Sequence, residues 1–248
     1  MSPSAPSRRV AIVCPADSYI GPDLARVLAA RGHDLVLARA SAGLAEELDA
    51  LGAASVTVDV AAHDLTAGPR LAQAALDRFG TFHSAFFSSG RIAVGRFTST
   101  TIDDLRAAVA GNIEAPYAFV QGVLPTLLGQ RDGQILVATS ATAGAPTPKA
   151  SLYAGTRAGA TMMLRSLGLE VADSGVQVNV VGSNFMDFPE FLRGNRAESP
   201  EGRARVEALV PMRRLGSTVE MANFCAALLD GSSRFQTGQF FTYAGGWG

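Results

Sequence analysis

The sequence predicts a doubly wound α/β fold, with one seven-stranded parallel sheet flanked by helices in a single domain. Short apolar runs alternate with helical patterns almost to the end of the 248 residues, which is the order that covers both faces of a parallel sheet with helices. The runs are rich in Val and Ile without strict alternation, as strands buried on both faces require. An apolar content of 48% is ample for one large core.

The elements follow in order. Residues 10–13 read as a buried strand, and residues 21–30 as a helix closing at Gly32. A second strand at 34–37 precedes helical 42–51, and a third at 55–58 precedes helical 71–79. The fourth strand, 84–88, leads to a long helical stretch over 102–128, and the fifth is 134–138. Helical 152–172 precedes a sixth strand at 176–181. Residues 182–199, rich in Phe, Pro and Asn, read as irregular. Helices near 201–209 and 219–229 then lead to a last strand at 239–243. No repeat, charge run or linker divides residues 9–248, and residues 1–8 read as a loose tail. Ligands of such sheets bind beyond the carboxyl ends of the strands.

Charge narrows the partners. Twenty-one basic residues against 22 acidic ones leave a net charge of -1, so no footprint for nucleic acid or an anionic membrane is expected. No run reaches the roughly 18 apolar residues of a membrane span. Cys14 and Cys225 form no metal-type or redox pair, which fits a reducing cytosol. The expected chain is cytoplasmic and acts on a small molecule.

The first strand-to-helix turn contains Pro15 and Tyr19 and keeps only Gly21. A dinucleotide site needs glycines here, so that backbone amides can approach the pyrophosphate at the helix N-terminus. Pro15 removes an amide donor, and Tyr19 puts a ring where a second glycine would leave room. The turn reads as one that never bound a nucleotide, or as a degenerate loop with weak binding left. Arg39 and Asp59 read as remnants of nucleotide contacts, or simply as a loop cation and a strand-end acid.

Ser140 follows the fifth strand, Tyr153 comes thirteen residues later, and Arg157 follows four residues after that. The four-residue step puts Tyr153 and Arg157 on one helix face. Three polar side chains thus converge at the carboxyl edge of the sheet. This pattern resembles that of the short-chain dehydrogenases/reductases, Ser with Tyr-x-x-x-Lys on a Rossmann-like fold. The likeness includes Asn112, residues 211–216, and the tail from Thr237 to Gly246. Arg157 stands where the lysine belongs. Its planar, permanently charged fork is no equivalent replacement, but a cation this close still favours the ionised form of Tyr153.

Ser140, Tyr153 and Arg157 beside a plugged loop resemble the halohydrin dehalogenases, a branch of that superfamily that uses no nicotinamide. The resemblance implies a carbon–halide lyase with no cofactor and no metal, acting on vicinal halohydrins, epoxides and small anions. In it Ser140 positions the substrate hydroxyl, Tyr153 takes its proton, and Arg157 stabilises the phenolate. Tyr19, Ser183, Asn184, Phe185 and Met186 would bind the departing halide, although Ser183 departs from the usual proline. Phe188 and Phe191 read as core residues or as pocket walls. By the same resemblance the chain is a homotetramer, and Trp247 reaches a neighbouring subunit.

The residues leave two other functions open: an NADP-dependent short-chain reductase with Arg157 replacing the lysine, or a non-catalytic binding protein. Asn112 is expected to be structural. His33, His63 and His83 have no ligand spacing and are expected at the surface or with their nitrogens satisfied, while Asp103 and Asp104 read as helix-start charges.

Overall fold

A computed structural model describes residues 8–248. Residues 1–7 of the expected tail lie outside that range, and Arg8 donates from Nε to Asp34 Oδ1 at 2.9 Å. Seven parallel strands form the sheet: β1 (Arg9–Cys14), β2 (His33–Ala38), β3 (Ser55–Val58), β4 (Ser84–Ser88), β5 (Gly133–Ser140), β6 (Val176–Ser183) and β9 (Phe240–Tyr243). Their order is β3-β2-β1-β4-β5-β6-β9. The expected doubly wound fold is the one observed.

Each face of the sheet buries its own apolar layer. On one face Ile12, Phe87, Val137 and Val178 pack with Leu71 of α3 (Ala67–Phe79), Phe119 and Leu127 of α5 (Ala115–Gln130) and Leu164 of α6 (Ser151–Glu170). On the other, Val13, Leu35, Phe86 and Val181 meet Leu24 and Leu28 of α1 (Gly21–Ala30), Leu48 of α2 (Ala42–Ala50) and Met221 of α9 (Thr218–Ala227). Local signals set the helix starts. Pro22 occupies the first turn of α1, where its missing N–H is no loss. Capping boxes, Thr101 with Asp104 and Ser217 with Glu220, open α4 (Ile102–Val109) and α9. Asp104 thus has a capping role, and bonds from Thr101 hold its carboxyl below the usual range.

Two expectations need correction. The stretch 102–128 is not one helix: a π-helical turn, Ala110–Glu114, separates α4 from α5 and carries the buried Asn112. Residues 182–199 are not wholly irregular. They hold β7 (Met186–Asp187) and α7 (Pro189–Gly194), and β7 pairs with β8 (Gly216–Ser217), which follows α8 (Pro200–Glu207). A two-residue strand and a six-residue helix are shorter than the periods that make an element visible in sequence. Among the described residues no helix is long and apolar enough to cross a membrane.

The histidines separate. His83 accepts at Nδ1 from the Val10 amide at 3.0 Å. His33, at the amino end of β2, is 1% exposed, and neither ring nitrogen forms a hydrogen bond among the described residues, so the expectation of a surface or satisfied ring fails. The register that pairs Arg9 with His33 sets the ring beside a partly buried guanidinium. Burial first, Arg9 next and, least, His83 lower its pKa to about 4, against the opposing Leu28 backbone and Asp230. The folded state therefore refuses a proton that the unfolded chain accepts below about pH 6.5. Stability should be full above that pH and fall by about 3 kcal/mol as the pH drops to about 4. Urea titrations of the wild type and His33→Leu at pH 7.5 and 4.5 test this. A variant with the same pH slope as the wild type would refute it.

Candidate active site

The carboxyl ends of β1, β4, β5 and β6 lie side by side, and the register pairs Ser140 directly with Ser183. Ser140 is buried at the end of β5, and its Oγ accepts from the Thr142 amide (3.3 Å) and from Thr142 Oγ1 (2.9 Å). With those lone pairs engaged, the Ser140 proton is left to donate to another oxygen. Tyr153 and Arg157 sit one turn apart on α6, with Arg157 Cζ 5.3 Å from the centre of the tyrosine ring. A guanidinium over an aromatic face is an attractive arrangement. Arg157 is only 6% exposed, and its Nε makes no hydrogen bond among the described residues. A buried donor without a partner is costly unless a ligand supplies one.

Neighbours hold this pair in place. A Cβ built on Gly90 would lie 2.0 Å from Arg157 Nη2, so only glycine leaves room for the guanidinium there. Gly90 also has φ +150°, outside the range that other residues readily adopt. Asn112 donates from Nδ2 to Thr156 Oγ1 (2.9 Å) and to the Arg91 carbonyl (3.1 Å), and accepts the Arg91 amide at Oδ1 (2.9 Å). It therefore ties the π-helical turn to α6, next to Arg157, and to the loop after β4. Asn112 is structural, as the sequence suggested.

Tyr19 reaches across the edge of the sheet. Its hydroxyl donates to Ser183 Oγ at 2.6 Å and lies 3.1 Å from Met221 Sδ. Burial raises its pKa, while the Ser183 bond and the Arg157 charge partly oppose the rise, so the hydroxyl keeps its proton. Tyr19 and Ser183 thus meet, as the sequence suggested, but the other residues grouped with them diverge. Met186 is buried under the α1–α9 face, whereas Phe185 joins a separate cluster with Phe191 and Trp247. Asn184 Oδ1 accepts its neighbour's amide, from Phe185, at 2.9 Å. Asn184, Phe185 and Met186 line a cavity of about 240 Å³ toward Arg214 and Tyr243. Phe188 packs on Tyr19 at 4.8 Å between ring centres, and Phe191 lies 6.3 Å from Phe188. Trp247 packs on Phe185 of its own chain at 5.6 Å.

A second cleft, of about 840 Å³, lies between the first turn (Pro15, Asp17, Ser18), Arg39, His63 and the loop at Ser89 and Gly90. Arg39 Nε stands 3.8 Å from both Asp17 and Asp59. Gly90 forms part of the wall of this cleft, and Arg157 is packed behind it. The sequence reading missed Gly90, Thr142 and Thr156. Thr142 stands two residues after Ser140 and Thr156 one before Arg157, which was the available signal; Gly90 had none. Both cysteines are buried and free, and burial, with a smaller contribution from Asp17, pushes the Cys14 thiol up to about 12. Among the described residues no cluster could hold a metal.

The family model described as enoyl-(acyl carrier protein) reductase matches residues 16–248. The chain belongs to the short-chain dehydrogenase/reductase superfamily. Oxidoreductase UcpA of Escherichia coli strain K12 is 27% identical over 238 residues, covering 93% of this chain and 90% of that protein. The 2,5-dichloro-2,5-cyclohexadiene-1,4-diol dehydrogenase LinX of Sphingobium indicum is 25% identical over 243 residues, covering 96% of each. A 3-oxoacyl-(acyl-carrier-protein) reductase from Agrobacterium tumefaciens, solved with NADP bound, superposes with a TM-score of 0.86 at 22% identity, covering 96% of this chain and 94% of its own. It shares the fold.

These relatives overturn the expected carbon–halide lyase class, since their names are those of oxidoreductases and dehydrogenases. The reason lies in the chemistry of the triad. Ser, Tyr and a cation move a proton at an alcohol oxygen, and hydride and halide reactions both need that step. Such a triad speaks only to a proton transfer and leaves open which other bond breaks.

Proposed function

We propose that the chain is an NADP-dependent oxidoreductase interconverting an alcohol and a carbonyl, with Arg157 in place of the usual lysine. The observation that carries this is the cleft that extends from Arg39 to Gly90, whose wall there is packed against the Arg157 guanidinium. Its volume suits a sizeable ligand. Arg39, in the cleft wall, fits the adenosine end of a dinucleotide as a cation for a ribose phosphate. The names of UcpA and LinX support the same reaction class.

When bound, the nicotinamide gives or accepts a hydride. The chain's own groups handle the oxygen. Ser140, polarised by Thr142, donates to the substrate oxygen and orients it. Tyr153 supplies or removes the proton at that oxygen, and the Arg157 charge stabilises the phenolate that results. Asn112 keeps α6 in register with the β4 loop throughout.

Calorimetric titration with NADPH, followed by assays on a panel of small ketones and aldehydes, tests this reading. Saturable binding and substrate-dependent NADPH oxidation are expected. Absence of binding, together with bromide release from a bromohydrin with no nucleotide added, would overturn the proposal.

A further inference from the structure

We infer that Tyr19 is a latch across the carboxyl edge of the sheet, and that it sets how tightly this site holds a whole dinucleotide. The inference rests on the nucleotide reading above and adds a specificity-determining residue to it. Tyr19 lies in the turn after β1, yet its hydroxyl bonds to the end of β6 at 2.6 Å. In the sheet, β4 and β5 stand between those two strands. The anchor, Ser183, is the register partner of Ser140, so the latch closes one strand away from the substrate-orienting hydroxyl. Its hydroxyl also feels the charges of Tyr153 and Arg157.

The latch is held against local preference. Tyr19 has φ 53°, the left-handed region that a non-glycine residue adopts only at a cost. The Ser183 bond, the 4.8 Å ring contact with Phe188 and the approach to Met221 Sδ offset that strain. The turn itself has little freedom. A Cβ on Gly21 would lie 2.1 Å from the Pro15 carbonyl oxygen, so the turn and the start of α1 are already in close contact. Opening is therefore a rotation of the Tyr19 side chain and not a shift of the loop.

A dinucleotide must occupy both ends of the cleft at once. To reach from the cleft at Arg39 to a substrate oxygen at Ser140 it must cross the carboxyl edge of the sheet, where the Tyr19–Ser183 bond lies. Binding of the adenosine part should be independent of Tyr19, and binding of the whole should be reduced by the work of breaking the Ser183 bond.

The probes are adenosine 2′,5′-bisphosphate and NADP+, titrated calorimetrically into the wild type, Tyr19→Phe, Ser183→Ala and Tyr19→Gly. The bisphosphate should bind all four equally. NADP+ should bind Tyr19→Phe and Ser183→Ala about tenfold more tightly than the wild type, the worth of one hydrogen bond, and Tyr19→Gly more tightly still. Tyr19→Phe keeps the ring and so guards against a variant that fails to fold. If both probes bind but NADP+ affinity is the same in the wild type and the variants, the latch is refuted and the nucleotide reading stands. If neither probe binds any of the four proteins, the nucleotide reading itself falls, and the latch with it.

Discussion

Tyr153→Phe should lower kcat by about a thousandfold while leaving KM for substrate and the thermal midpoint nearly unchanged. In the proposed reaction the Tyr153 hydroxyl exchanges the proton, and its removal leaves the Arg157 charge with no phenolate to stabilise. The ring that Arg157 covers at 5.3 Å remains, so packing around the guanidinium is preserved. That is why the loss should appear in turnover and not in stability. Initial-rate kinetics beside a melting curve test this. A variant that keeps more than a tenth of wild-type kcat would remove Tyr153 from the chemistry.

Gly90→Ala should be nearly as damaging, for a reason that a contact list of side chains would not reveal. The new methyl would stand 2.0 Å from Arg157 Nη2 and 2.7 Å from Asn112 Oδ1, on a backbone with φ +150°. Either the guanidinium retreats or the end of β4 moves. In both cases the cation leaves its place over Tyr153, and a loss of about a hundredfold in kcat/KM is expected, the scale of a misplaced catalytic arrangement. The substitution and Arg157→Ala damage the same arrangement, so their effects should not add. A double variant no worse than the poorer single one supports this. Additive losses would show that Gly90 acts elsewhere.

Much of the fold could be read from the chain because its signals are local. The helix over 21–30 and the strands at 55–58 and 84–88 have the bounds expected, since Gly32 and short β-branched or aromatic runs mark them directly. The π-helical turn at Asn112 could not be read in the same way. One wider turn leaves the apolar composition of a long helical stretch unchanged, and only the packing of Asn112 against Thr156 shows why it is there. In the site, Ser140, Tyr153 and Arg157 announce themselves by spacing and strand position. Gly90 does not, because a glycine carries no mark of the side chain that passes over it. The Tyr19–Ser183 bond joins residues 164 positions apart, and sequence could suggest only that both face one region. Which bond breaks beside the proton transfer was also beyond the triad, and there the resemblance led to the wrong enzyme class.

The aromatic rings that run from Tyr19 through Phe188, Phe191 and Phe185 end at Trp247, with successive centres 4.8, 6.3, 6.0 and 5.6 Å apart. The chain has one tryptophan, so ultraviolet emission excited at long wavelength comes from a single indole at the far end of that row. Rotation of Tyr19 removes the partner of Phe188, and the rings beyond it must resettle. The protein thus carries its own unlabelled optical probe, wired by packing to the first turn of the sheet, and ligand entry could be timed in a stopped-flow fluorimeter without altering a residue.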